Sequence, residues 1–169
     1  KKFSDKLAVV GLNGKYGYID SAGNEVVPLK YDFAYDFSEG LAPVCLNNKF
    51  AYIDKSGNEI IPFKYDIAWE FSEGLAAVSI DDKAAYIDKT GKEVIPFIYE
   101  PIFDFTDRFA QVPIEYDKPW DFSDGLVKVK FDGKFGFIDK SGRKIVPIIY
   151  DYTSEFSDGL ASVELEGKS

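Results

Sequence analysis

The chain has 169 residues, enough for one domain or one continuous repeat array, and 46% of them are hydrophobic and 17% aromatic. Its formal net charge of −9 argues against nucleic acid and against an anionic membrane surface, since both need a cationic face. With no His and one Cys, imidazole metal sites, Ser-His and Cys-His catalysis and an intramolecular disulfide are excluded.

Read from the start, the chain opens on Phe3-Ser4-Asp5-Lys6-Leu7-Ala8, and the same phrase returns at Phe37, Phe71, Phe122 and Phe156, with a degraded copy at Phe105. In the second copy Glu39-Gly40 reads as a turn, with glycine supplying a positive φ. Gly74, Gly125 and Gly159 share that place, while Arg108 replaces the glycine and marks a different local turn. An apolar strand follows, Leu41 to Leu46, and then Asn47-Asn48, matched by Asn13-Gly14, Asp81-Asp82 and Asp132-Gly133. These pairs are two-residue hairpin signals, because both central residues of a type I′ turn need φ > 0.

The return strand is Lys49-Phe50-Ala51-Tyr52-Ile53-Asp54. Its Tyr-Ile-Asp ending recurs at Asp20, Asp54 and Asp88, a period of 34 residues, and then as Phe137-Ile138-Asp139, one and a half periods on. After each Asp comes a turn with Gly three places later, in which the carboxylate can hold backbone N–H groups. A third strand over residues 59–62 ends at Pro62, which lacks an N–H and so terminates pairing or sits on an edge. Tyr65-Asp66-Ile67-Ala68-Trp69-Glu70-Phe71 alternates with period two and closes the unit as extended chain. No segment carries a 3.6-residue period, and no apolar run reaches the roughly 18 residues of a membrane span.

The half-period falls between residues 99 and 129, where the closing segment occurs twice, 17 residues apart, with no hairpin between the copies. A kink or altered packing is expected over residues 103–120. Residues 160–168 begin another unit without its return strand. Either the array continues beyond this chain or the strand pairs elsewhere, and an unpaired edge invites self-association. The chain starts at Lys1 without Met, and no signal-peptide pattern is present.

A Lys-aromatic-Gly-Tyr-Ile-Asp phrase, then Ser-Gly-x-x-Val-Ile-Pro, then Tyr-Asp, then Phe-Ser-Glu-Gly-Leu-Ala-x-Val, resembles the WG-repeat family of bacterial proteins. The resemblance covers nearly the whole chain. The family's naming dipeptide falls on Tyr16-Gly17, Phe50-Ala51, Ala84-Ala85 and Phe135-Gly136, so no copy keeps the Trp and two lose the Gly. The resemblance implies an all-β repeat scaffold, often in surface or multidomain proteins, which favours the bacterial surface or secretion over other locations. It implies no catalytic activity, catalytic residue or cofactor.

The expected architecture is all-β: 34-residue meanders stacked into one elongated or superhelical array over residues 1–169, with a closed propeller-like ring as the alternative. Tyr35, Trp69, Phe103 and Trp120 share one repeat position, which Ser154 takes in the last copy. They fill the core or offer a stacking platform for a peptide or a sugar. The recurring acids Asp32, Asp66, Glu100, Asp117 and Asp151 bond to nearby backbone or form an acidic contact row. Asp20, Asp54, Asp88 and Asp139 lack the alternating ligands of a calcium loop and read as turns, so no metal site is assigned. No carboxylate pair stands out for glycosidase chemistry. The expected function is a non-catalytic scaffold for a protein or peptide partner, with binding of a cell-wall or surface glycan as the alternative.

Overall fold

A computed structural model of the chain describes residues 4–100, 122, 124–156 and 159–166. Among these the regular structure is all strand. The first repeat gives β1 (Ala8–Leu12), β2 (Lys15–Ile19) and β3 (Glu25–Tyr31); the second gives β4 (Phe33–Ala34), β5 (Leu41–Leu46), β6 (Lys49–Asp54) and β7 (Glu59–Tyr65). The third gives β8 (Ile67–Ala68), β9 (Leu75–Ile80), β10 (Lys83–Asp88) and β11 (Glu93–Tyr99). After the short period come β12 (Leu126–Phe131), β13 (Lys134–Asp139), β14 (Lys144–Tyr150), β15 (Tyr152–Thr153) and β16 (Val163–Glu164). The sheets run β1-β2-β3, β4-β5-β6-β7, β11-β10-β9-β8, β12-β13-β14 and β15-β16, so each is open rather than closed into a barrel. The chain divides into two compact units, Lys1–Asp81 with Ala85–Glu93, and Asp82–Ala84 with Val94–Ser169.

The turns follow the residues that make them. Asn13-Gly14, Asn47-Asn48, Asp81-Asp82 and Asp132-Gly133 all have positive φ at both positions, as type I′ hairpins require. The Glu39-Gly40 turn is of the same kind: φ is 53° and 91°, and Ser38 and Leu41 exchange both backbone hydrogen bonds. Gly74, Gly125 and Gly159 repeat that positive φ. Arg108 lies outside the described residues, as does the expected kink at 103–120.

The third strand corrects the reading from sequence. It does not stop at Pro62 but runs to Tyr65, and its counterparts likewise pass through Pro28, Pro96 and Pro147. The prolines sit in a bulge at a sheet edge. Tyr18 faces Val27 and Tyr16 faces Tyr31, so two residues of β2 span four of β3, and β6 with β7 repeats the shift. The extra residues of β3 arch over Gly17, where an added Cβ would sit 2.5 Å from the Val27 carbonyl oxygen. Gly136 in the second unit is as tight, 2.7 Å from the Pro147 oxygen. Proline belongs in such a place, since it lacks the N–H that the bulge leaves unpaired.

The core of the first unit is the inward row of these strands: Val9, Tyr18, Val27, Tyr31, Phe37, Ala42, Val44, Ala51 and Ile53. In the second unit Val127, Val129, Phe137 and Ile138 are buried in the same way. Neighbouring repeats are also stapled by polar groups. The Gly40 N–H donates to Asp5 Oδ2 (2.9 Å), the Gly74 N–H to Glu39 Oε2 (3.1 Å) and the Gly159 N–H to Asp124 Oδ2 (3.1 Å). Ser4 and Ser38 donate their hydroxyls to the carbonyls of Phe37 and Phe71. A repeat cannot bury its own apolar face alone, and these staples fix the register in which its neighbour covers it.

Candidate functional site

The closing segment of each repeat carries the position shared by Tyr35, Trp69 and Ser154, and its backbone is held identically each time. The Tyr35 N–H donates to Pro43 O, that of Trp69 to Ala77 O and that of Ser154 to Ser162 O, at 3.1, 3.1 and 3.0 Å. A second clasp comes from the buried tyrosine of the preceding return strand. Tyr18 Oη donates to Tyr35 O at 2.7 Å, and Tyr52 Oη to Trp69 O at 2.7 Å. Burial holds the phenols of Tyr18 and Tyr52 well above the ordinary tyrosine value, so both remain donors. Phe137 stands at this place in the last repeat and has no hydroxyl to give.

In the first unit the rings form one continuous row. Tyr16 packs on Phe33 with centroids 5.7 Å apart, Phe33 meets Tyr35 edge-on at 4.9 Å, and Tyr35 meets Trp69 at 5.6 Å. Phe50 closes on Tyr35 at 6.3 Å. Tyr35 and Trp69 are half-buried, so each belongs partly to the core and partly to the surface. Burial, with Glu70 adding to it, pushes the Tyr35 phenol well above its usual value. Asp36 beside the row is exposed and Glu70 half-buried. Phe103 and Trp120 lie outside the described residues.

The acidic row is engaged rather than free. Asp32 Oδ1 pairs with Lys15 Nζ at 2.5 Å while Oδ2 accepts the Asn47 N–H at 2.8 Å. Asp66 does the same with Lys49 and the Asp81 N–H, and Asp151 with Lys134 and the Glu166 N–H. The lysine bond is the main force lowering the Asp32 and Asp151 carboxyls below the usual range. Each acid thus ties its own closing segment to the next hairpin turn. Glu100 takes the Gly133 N–H at 3.0 Å and Lys130 Nζ at 3.2 Å; Asp117 lies outside the described residues. A sequence signal for this existed: Lys15, Lys49 and Lys134 each precede their acid by 17 residues, half a period. The tyrosine clasp has the same spacing, but nothing in the sequence says that the phenol reaches a carbonyl.

The Asp-x-x-Gly loops close on themselves. Asp54 Oδ1 accepts the N–H groups of Ser56 and Asn58, and Oδ2 accepts the Asn58 amide. Asp20 is held likewise. Among the described residues no group of three or more acids or Cys is placed to hold a metal ion, and no helix is long and apolar enough to cross a membrane.

The family described as WG containing repeat matches the chain in five successive stretches, residues 16–50, 50–83, 85–112, 112–135 and 135–168. No curated protein and no solved structure matches it. The first two stretches each run from a return strand through the bulge and closing segment to the next hairpin, and the chain belongs to the WG containing repeat family.

Proposed function

We propose that the array is a non-catalytic scaffold that binds a protein or peptide partner along its aromatic row. The observation that carries this reading is the state of Tyr35 and Trp69: half-buried, 5.6 Å apart and anchored through their backbone by Tyr18 and Tyr52. Rings held this way offer stacking area with little conformational entropy left to lose. Exposed Asp36 at the rim favours a partner carrying basic groups. A peptide array probed with the wild-type chain and with Trp69→Ala tests it. The expected result is retained folding and binding weakened by about 1–3 kcal/mol, the scale of one aromatic stack. Equal binding by Trp69→Ala overturns the reading, and binding to a glycan array in place of peptides selects the carbohydrate alternative.

A further inference from the structure

In the first unit the outward rows of the third strands are apolar between charged ends. The exposed positions are Glu25, Val26, Pro28 and Lys30 in β3, and Glu59, Ile60, Pro62 and Lys64 in β7. Val27, Tyr31, Ile61 and Tyr65 are turned inward and buried, while Val26 is 38% and Ile60 44% exposed. The next repeat covers only the inward row. An added Cβ on Gly57 would sit 3.3 Å from the Val27 side chain, and one on Gly91 3.1 Å from that of Ile61. The outward row stays bare in both repeats although each has a following neighbour, so its exposure does not come from a missing one. The two rows lie side by side, with Phe63 of β7 stacked on Tyr31 of β3 at 6.4 Å.

The charged ends are uncompensated. Among the described residues Glu25, Lys30, Glu59 and Lys64 make no ion pair. The two ammonium groups lie instead over the ring of the following tyrosine, at 5.1 and 4.9 Å. Acids stand at one end of the rows and lysines at the other. The whole chain carries a net charge of −9, which repels its own copies, but this strip holds two acids and two lysines and is neutral. It is also complementary to itself. A two-fold axis crossing the strands turns the rows end for end, so that Glu25 meets Lys30 and Glu59 meets Lys64 of the second copy. Val26, Pro28, Ile60 and Pro62 are then covered between them. An axis along the strands would set like charges together, so the charges select one orientation.

We propose that this strip of β3 and β7 is an interface with a second copy of the chain, a two-fold dimer with its third strands antiparallel across the contact. It goes beyond the scaffold reading and uses residues apart from the aromatic row.

Sedimentation equilibrium of the full chain over a concentration series tests it, and a reversible monomer–dimer equilibrium is expected. Ile60→Asp should leave monomers. Lys64→Glu sets acid against acid and should weaken the dimer at least about tenfold. Adding Glu59→Lys to Lys64→Glu swaps the ends and should restore self-association, because the swapped strip again matches itself; the swapped chain should not pair with the wild type. Circular dichroism checks that the fold is kept, and if Ile60→Asp unfolds, the charge variants decide. A chain that is monomeric at its highest soluble concentration, a dimer equally strong in Ile60→Asp and Lys64→Glu, or a swap without rescue overturns the proposal. A monomer whose Ile60→Asp variant loses peptide binding gives the strip to the peptide partner and overturns it too. Trp69→Ala should leave the dimer unchanged, so failure of the aromatic-row reading is seen separately.

Discussion

The repeat ending at Trp69 and the one ending at Ser154 share a backbone and differ in what they do with it. Both keep the bond from the closing segment to the next strand at 3.0–3.1 Å and both keep the acid that fastens the next hairpin turn. The first adds a buried phenol below and an aromatic row above. The second has Phe137 below and a serine above. The main-chain and carboxylate bonds are therefore enough to hold the frame. The side chains on its face are free to vary, which is where a binding surface can diverge between repeats.

The largest expected break in this comparison is at the bulge. Gly17 and Gly136 are crossed by backbone at 2.5 and 2.7 Å from an added Cβ, yet Ala51 and Ala85 occupy the same place fully buried. Alanine is thus tolerated where the third strand stands slightly off, and a branched side chain is not. Gly136→Val should cost about 3 kcal/mol by overpacking, read as a drop in the chemical-denaturation midpoint. No change would show that the third strand lifts freely.

The phenol clasp comes next. Tyr52→Phe removes the buried phenol that donates to the Trp69 carbonyl, which should cost about 1–2 kcal/mol. Phe137→Tyr in the last repeat should be neutral or stabilising, since it offers the Ser154 carbonyl the same bond. Parallel thermal melts of the two variants check the pair. Destabilisation by both would mean that the second unit packs differently at this point.

A smaller effect of opposite sign is expected at Thr153. Thr153 is 1% exposed and among the described residues its hydroxyl has no hydrogen-bond partner, where the closing segments at Tyr31 and Tyr65 carry Ala34 and Ala68. Thr153→Val keeps the shape and removes the stranded polar atom, so it should raise stability by about 1 kcal/mol. A lower melting point would show that the hydroxyl is satisfied in solution.

The smallest effect is the pH dependence of the exposed loops. Hydrogen bonds from Ser141 and its neighbours lower the Asp139 carboxyl from 3.8 to about 2. Asn24, Asn58 and Thr90 lead the lowering at Asp20, Asp54 and Asp88. A carboxyl lowered in the folded state stabilises it above the unfolded value and loses that contribution as pH falls through the folded one. Melting temperature should therefore hold above pH 3.8 and decline toward about pH 2. Asp139→Asn should shrink the decline, and an unchanged pH profile in that variant would count against the loop's share.

Much of this was legible in the chain. Strands Leu41–Leu46 and Lys49–Asp54 sit where alternation and the Asn47-Asn48 turn place them, because period two and paired positive φ leave few other solutions. Pro62 misled, since proline marks an edge or bulge as readily as an end, and only the strand beside it decides between them. The ring position was visible as a recurring aromatic, but its half-burial was not, because that depends on how the next repeat closes over it.

The join at Glu100 has a consequence in polymer terms. Its N–H donates to Lys130 O, 30 residues on, where Asp32, Asp66 and Asp151 reach carbonyls only 13 residues ahead. The ends of this longer stretch are fastened by the same backbone bond and by a carboxylate on the Gly133 hairpin turn. Closing a chain that is a little over twice as long costs only about 0.6 kcal/mol more in entropy per doubling. The same two fastenings, a main-chain bond and a carboxylate on the next hairpin turn, therefore serve joins that differ in length by half a repeat.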